Sequence, residues 1–195
     1  MPSEVDLCST ALLKLGDTTI MELGENSQRA KLSRLIYPEI RDAVQRVHPW
    51  KCCTFQRSLA RLSDPPAFGY AYQFQLPSDP YCLRVLYIDG DPDRNLIPYK
   101  IVGRKLHCDE ETVNLWFIGR VVDPNAWDSL LVEAVIARLM VDLAYPVTSN
   151  PALSTALFAA YQLKVGEAGA VDLDEDNQSQ VITDNPLIDA RNVSA

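Results

Sequence analysis

Apolar residues recur at intervals of three or four near the N-terminus, which predicts a first helix between Ser3 and Gly16. Ser3 and Asp6 have the spacing of a capping box, and glycine often follows the last turn of a helix. Asn26 or Ser27 is predicted to cap a second helix that ends at His48-Pro49-Trp50. We expect a kink or a break in this helix at Pro38, because proline removes a backbone hydrogen bond there.

The middle of the chain changes to a strand pattern, with clusters of proline, glycine and aspartate between short apolar segments. The predicted strands are Cys53–Leu59, Phe68–Leu76, Leu83–Ile88, Ile97–Val102 and Val113–Gly119. In Phe68–Leu76 every second residue is large and apolar, which predicts one buried aromatic face and one face of small or amide groups. An antiparallel sheet with hairpin connections follows from this spacing.

The helical pattern returns at Asp123-Pro124, a favourable helix start. From Trp127 to Ala144 the helix is apolar on nearly every side, so we expect it to be buried by its own helices and by another subunit. Glu133 and Arg138 then need partners, because a buried lone charge is costly. A last helix begins at Asn150-Pro151. The residues predicted to pack in the core or against a subunit are Trp127, Leu131, Val135, Arg138 and Phe158.

Beyond Gly166 the helical pattern weakens, and residues 171–195 are predicted to be an extended acidic arm that orders on a partner. Its apolar clusters are the predicted contacts with that partner: Val181, Ile182, Pro186, Leu187 and Ile188. The predicted fold class is therefore α+β. A bundle of about four helices (1–50 and 121–170) carries an inserted antiparallel β-rich domain (51–120) and the arm.

Charge is distributed unevenly along a chain whose formal net charge is −8. The region 27–61 has eight basic and two acidic residues, whereas 171–195 has six acidic residues and one basic residue. The basic region is a solvated helix face, a docking surface for an acidic partner, or a nucleic-acid contact. The residues proposed for electrostatic docking are Arg34, Arg41, Arg46, Asp174, Glu175 and Asp176.

The sequence contains no phosphate-binding glycine loop, nucleophile elbow or zinc-protease motif. The five cysteines have no metal-ligand spacing and are expected to be reduced and buried, with Cys52 and Cys53 on opposite faces of a strand. A Cys–His pair with His48 is a weaker alternative. We therefore expect no catalytic residue, metal or cofactor. No signal peptide or membrane span is apparent, so a cytoplasmic product is expected.

Several segments, taken in order, resemble the tail tubular protein A, or head–tail adaptor, family of tailed bacteriophages. They cover roughly residues 3–165 and are Leu35-Ile36-Tyr37-Pro38-Glu39-Ile40-Arg41-Asp42-Ala43, His48-Pro49-Trp50, Phe68 to Asp79, Cys82-Leu83-Arg84-Val85, Gly103-Arg104-Lys105-Leu106 and Asp123-Pro124. The arm after Gly166 matches no pattern of the family.

This resemblance implies a non-enzymatic virion protein, made in the host cytoplasm, that forms a ring of typically twelve copies under the portal. It also implies that the arm reaches the portal, that the next tail protein binds the opposite side, and that DNA passes through the channel without specific binding. Other interpretations remain open: another neck or tail-completion protein, a tail-associated wall- or polysaccharide-degrading enzyme, or a cellular oligomeric binding module.

Overall fold

The computed structural model describes residues 2–89 and 97–176. Its helices are α1 (Glu4–Lys14), α2 (Gln28–Val47), α3 (Ser129–Thr148) and α4 (Pro151–Asp176). Its strands are β1 (Thr54–Leu59), β2 (Tyr72–Gln75), β3 (Cys82–Ile88), β4 (Lys100–Val102), β5 (Lys105–Cys108) and β6 (Val113–Gly119). Short 3-10 turns at Lys51–Cys53 and Pro124–Ala126 connect the helices to the strand region.

The strands form two small antiparallel sheets, with the orders β1-β6-β3 and β2-β5-β4. All six strands lie between α2 and α3 in the sequence, so the prediction of a mixed α+β fold with an inserted β region is confirmed. The hairpin between β4 and β5 turns at Gly103, whose φ of +60° favours glycine. The sequence pattern had predicted five strands and missed β5.

Strand β6 separates two hydrophobic cores, because successive side chains of a strand point to opposite faces. Ile118 belongs to the core that the helices form, together with residues such as Leu131 and Leu139. Leu115 and Phe117 belong to a second core between the sheets. The helices and the strand region therefore share β6, which contributes Ile118 to one core and Leu115 and Phe117 to the other.

Helix α3 is the central element of the helical core and contacts α1, α2 and α4. Two of its charged residues form ion pairs. The Lys164 Nζ lies 2.6 Å from Glu133 Oε2, and Arg138 Nη2 lies 3.4 Å from Asp142 Oδ1. Both residues have the expected partners, but Glu133 is exposed, so burial is not the reason for its ion pair.

The fully buried Gln45 connects α2 to the segment that leads from β6 to α3, a contact that the sequence did not predict. Its Nε2 donates to the Val121 carbonyl at 2.7 Å, and its Oε1 accepts from the Val121 N–H at 3.1 Å. The Trp127 indole N–H donates to the same carbonyl at 3.0 Å. Both backbone groups of Val121 are thereby satisfied inside the protein, as buried polar groups need to be.

The predicted aromatic strand Phe68–Leu76 is wrong over its first half. Phe68 is 84% exposed, and Gly69 has a φ of +94°, which is incompatible with an extended strand at this residue. Strand β2 starts only at Tyr72. Within it Phe74 is buried as predicted, but so is Gln73, whose Nε2 donates to the Asp64 carbonyl at 2.7 Å. An amide with a satisfied hydrogen bond can be buried where the pattern predicted exposure.

Three helix boundaries also differ from the prediction. Helix α2 runs through Pro38 without a break, since one lost hydrogen bond does not outweigh the packing of its buried side. Asp123-Pro124 opens a 3-10 turn, and α3 begins at Ser129 with Asp128 as its N-cap. Helix α4 continues past Gly166 to Asp176, so residues 171–176 are helical rather than an extended arm.

Candidate assembly surfaces

Helix α4 packs against α3 through one side only. Tyr161 and Ala168 are buried on this side, and the ion pair between Lys164 and Glu133 lies at its edge. The contacts of α4 with other elements of the described chain are few compared with those it makes with α3. Its opposite side is consequently exposed between Pro151 and Val171.

The exposed side of α4 carries almost no charge, although the solvent face of a surface helix is normally polar. Between Pro151 and Val171, Glu167 is the only charged residue at an exposed position. Small or apolar residues follow one line along this side at alternating intervals of four and three. We call this line the outer face of α4: Ala152, Ala156, Ala159, Leu163, Gly166 and Ala170.

The outer face has the spacing with which one helix packs against another. Leu163 is 70% exposed, and the residues around it on the line are alanine or glycine, which allow a second backbone to approach closely. A helix with this surface gains by covering it, because burial of apolar area is favourable at about 25 cal/mol per Å².

The five predicted packing residues divide between the core and the edge of α4. Trp127, Leu131 and Val135 are buried in the helical core. Phe158 remains 41% exposed and contacts Tyr161, their ring centres lying 6.0 Å apart. The Arg138 guanidinium carbon lies 5.6 Å from the Phe158 ring centre, which is a cation–π contact between α3 and α4.

A second surface is a cleft of about 400 Å³ where the end of α2 meets β3 and the β4–β5 turn. Arg46, Arg84 and Arg104 line it together with Tyr81 and Tyr99, and no acidic residue is among its lining residues. We call it the arginine cleft. It brings together three cations that are far apart in the sequence.

Backbone carbonyls hold the three guanidinium groups in place. Arg46 Nη1 donates to the Leu83 carbonyl at 3.0 Å and Arg84 Nη1 to the Val47 carbonyl at 3.2 Å. Arg104 Nη1 donates to the Cys82 carbonyl at 3.0 Å, and its Cζ lies 3.9 Å from the Tyr81 ring centre. Each guanidinium has five N–H donors, and these hydrogen bonds use only some of them.

The cleft contains three positive charges, and no acidic side chain in its lining neutralises them. Burial, and next to it the charge of Arg46, lowers the pKa of the Arg84 guanidinium below its ordinary value. A negatively charged group in the cleft would relieve this repulsion and use the remaining donors. The arrangement can therefore bind carboxylate or phosphate groups.

The residues predicted for electrostatic docking have different surroundings. Arg34 is exposed on α2, and Arg46 lines the cleft. Arg41 does not fit the prediction, because it is only 7% exposed and its Nη2 lies 2.8 Å from Asp42 Oδ1. The side chains of Asp174, Glu175 and Asp176 lie outside the described part of the chain.

The predicted contacts of the arm, Val181, Ile182, Pro186, Leu187 and Ile188, also lie outside the described residues. Sequence reasoning missed Arg84 and Arg104 as members of a basic surface, because they follow the basic region 27–61 by more than twenty residues. Only the pairing of strands and helices places them next to Arg46.

No family model matches this chain, and no curated protein matches it. Within residues 2–89 and 97–176, no three histidine, cysteine or acidic side chains are grouped as metal ligands would be. None of the helices in this part of the chain has the length and hydropathy of a membrane span.

Proposed function

We propose that this protein is a structural subunit of the virion of a tailed bacteriophage, a head-to-tail adaptor that assembles as a ring below the portal. In this proposal about twelve copies join the capsid to the tail and surround the DNA channel, and the next tail protein binds the ring's other side. The protein acts by assembly, without a catalytic site or cofactor. The proposal rests on the family resemblance and on one structural observation, the uncharged outer face of α4.

The outer face supports assembly because a second copy is a suitable partner for it. A ring requires two different, complementary surfaces on every subunit. This chain has an apolar helix face that leads into the acidic sequence 172–176, and it has the arginine cleft elsewhere. Packing of one subunit's α4 against the next subunit would cover the apolar face and bring acidic residues towards cations.

The net charge of −8 is compatible with the proposed DNA channel. Like charge discourages the adhesion of DNA to the channel wall while the genome moves. Specific DNA binding is not part of the proposal.

Light scattering and electron microscopy of the full-length protein, alone and mixed with the portal protein of the same genome, test this function. We expect closed rings that attach to the portal. A protein that stays monomeric under both conditions and does not bind the portal would contradict the proposal.

A pair of matched variants tests the outer face. Ala159→Glu places a charge on the outer face, whereas Ala60→Glu places the same charge at an exposed position after β1. We expect the first variant to remain folded by circular dichroism but to lose ring formation, while the second assembles normally. Equal assembly of both variants would exclude the outer face as the subunit contact.

The arginine cleft is tested in the same assay. Arg46→Gln combined with Arg84→Gln removes two of its cations, and Arg34→Gln removes an exposed cation outside it. We expect the double variant to assemble more weakly and with less dependence on salt, because fewer charges are paired across the contact.

Deletion of residues 171–195 tests the arm separately, and unchanged portal binding would contradict its proposed role.

A further inference from the structure

Adjacent cysteines form a pair of thiols at the junction between the helices and the sheets. The 3-10 turn Lys51–Cys53 links α2 to β1 and brings the Cys52 and Cys53 sulfur atoms to 3.9 Å. A strand would have sent them to opposite faces, as the sequence predicted. That prediction is wrong because β1 begins only at Thr54.

The two thiols differ in their access to solvent. Cys53 is completely buried, whereas Cys52 is partly exposed and lines a cavity of about 380 Å³. Trp50, Trp127 and Leu130 give the cavity an apolar wall, and Val171 from α4 also lines it. A small reagent can therefore reach Cys52 but not Cys53.

Hydrogen bonds favour the thiolate of Cys52. The Asp128 backbone N–H donates to the Cys52 sulfur at 3.4 Å, and the Cys53 thiol lies on its other side. The bond to Cys53, and after it the Asp128 N–H, lowers the pKa of the Cys52 thiol to about 7, although burial and the Asp128 carboxylate oppose this shift. A thiolate is the nucleophilic form of cysteine.

We propose that Cys52 and Cys53 are a reversible thiol–disulfide site, in which Cys52 reacts with a small-molecule disulfide and Cys53 completes the exchange. This inference does not depend on the proposed assembly function. It rests on the distance between the sulfur atoms, on the unequal exposure of the two thiols and on the cavity beside Cys52.

The reaction has two steps. The Cys52 thiolate attacks one sulfur of a disulfide such as glutathione disulfide, whose S–S bond breaks and releases one thiolate. The Cys53 sulfur then attacks the Cys52 sulfur and passes its proton to the second glutathione, which leaves from Cys52 as a bond between Cys52 and Cys53 closes. The first glutathione thiolate takes up the proton that Cys52 had lost to solvent. Two protein thiols are oxidised, and one small-molecule disulfide is reduced to two thiols.

The product is expected to be easily reduced. The peptide bonds between described residues are trans except for Asp79–Pro80, so the Cα atoms of Cys52 and Cys53 are about 3.8 Å apart. Disulfides usually join Cα atoms at about 4.4–6.8 Å, and departures from this range make the bond more reducible. A bond that opens readily suits a reversible modification and does not suit a structural crosslink.

Intact-protein and peptide mass spectrometry of the full-length protein, incubated with glutathione disulfide, tests the proposal. We expect wild-type protein to lose two hydrogens, with Cys52 and Cys53 becoming resistant to iodoacetamide together. Dithiothreitol should restore both thiols. Cys53→Ala should stop at one glutathione adduct on Cys52, and Cys52→Ala should not react.

Cys82→Ala is the matched control, since Cys82 is buried away from this turn and the variant should behave like the wild type. The wild-type peptide map gives the answer even if Cys53→Ala does not fold. A stable glutathione adduct on wild-type Cys52 with Cys53 still alkylatable would overturn the proposal. Faster modification of Cys8, Cys82 or Cys108 than of Cys52 would overturn it as well.

Discussion

Helices α3 and α4 are neighbours that both contain many apolar residues, but their surroundings differ. Helix α3 is covered on several sides by α1, α2 and α4, and it has seven buried residues: Leu131, Ala134, Val135, Ile136, Leu139, Leu143 and Ala144. Helix α4 is covered by α3 on one side and leaves Leu163 70% exposed on the other. Folding of the single chain explains the buried apolar residues of α3, but it does not explain those of the outer face of α4.

Because of this difference, replacements in the two helices can distinguish effects on stability from effects on assembly. Replacing a residue of α3 should reduce the free energy of unfolding of the single chain. Replacing a residue on the outer face of α4 should leave that free energy almost unchanged and affect the proposed contact with a second copy. If replacements in the two helices change the free energy of unfolding equally, this distinction between α3 and the outer face of α4 is wrong.

The largest expected effect is that of Leu139→Ala in α3. Leu139 is fully buried, so the variant loses apolar burial and leaves a cavity, which costs about 2–5 kcal/mol in the free energy of unfolding. Urea denaturation followed by circular dichroism measures this value. Leu163→Ala is the control on α4, and a comparable loss there would show that Leu163 is buried within the single chain.

A pair of alanines gives the opposite test, in which volume is added. Ala144 of α3 is fully buried and Ala159 of α4 is exposed. We expect Ala144→Leu to destabilise the protein by about 1–3 kcal/mol through overpacking. Ala159→Leu should be nearly neutral for the single chain, because leucine is also a good helix former. Thermal unfolding of both variants decides whether the two positions differ.

Sequence periodicity predicted the existence of α3 and α4 but could not predict which sides they cover. The charged residues between Trp127 and Ala144 do not share a face, which indicated a helix buried on several sides, and α3 is covered on several sides by α1, α2 and α4. In α4, Gly166 and the acidic residues after it resembled a helix end, but the helix continues to Asp176. Local propensity does not include the packing of α4 against α3, which continues past Gly166 to the buried Ala168.

The sequence likewise predicted single residues of the candidate surfaces but not the neighbours that complete them. Phe158 was predicted to have a second contact, and it lies at the edge of the exposed side of α4. Arg46 was predicted to belong to a basic surface, but its neighbours Arg84 and Arg104 come from strands whose pairing a single sequence does not reveal. Arg41 was also predicted to take part in docking, but in the single chain it is buried and Asp42 accepts its hydrogen bond.

The ion pair between Glu133 and Lys164 connects the two helices and should have a smaller effect. Its hydrogen bond lowers the pKa of Glu133 and raises the pKa of Lys164. The stability it contributes is therefore present above the unfolded pKa of glutamate, about 4.3, and below that of lysine, about 10.4. It is lost as the pH falls through the lowered pKa of Glu133, or rises through the raised pKa of Lys164.

Exposure and salt screening limit this pair to about 0–1 kcal/mol. We expect Glu133→Gln to be slightly less stable than the wild type at neutral pH and low salt. The two proteins should be equally stable in about 1 M salt, where the Debye length falls to about 3 Å. A loss that persists unchanged at high salt would indicate that packing between the helices, not charge, had been disturbed.

Leu163→Gln should have the smallest effect on the single chain and gives the sharpest test of the comparison. Glutamine keeps a similar length and helix propensity at an exposed site, so the free energy of unfolding should change by no more than about 0.5 kcal/mol. Under the same conditions light scattering should show weaker self-association, because the polar amide would be buried against the second copy. Unchanged stability combined with unchanged association would mean that the apolar outer face has no second copy as its partner.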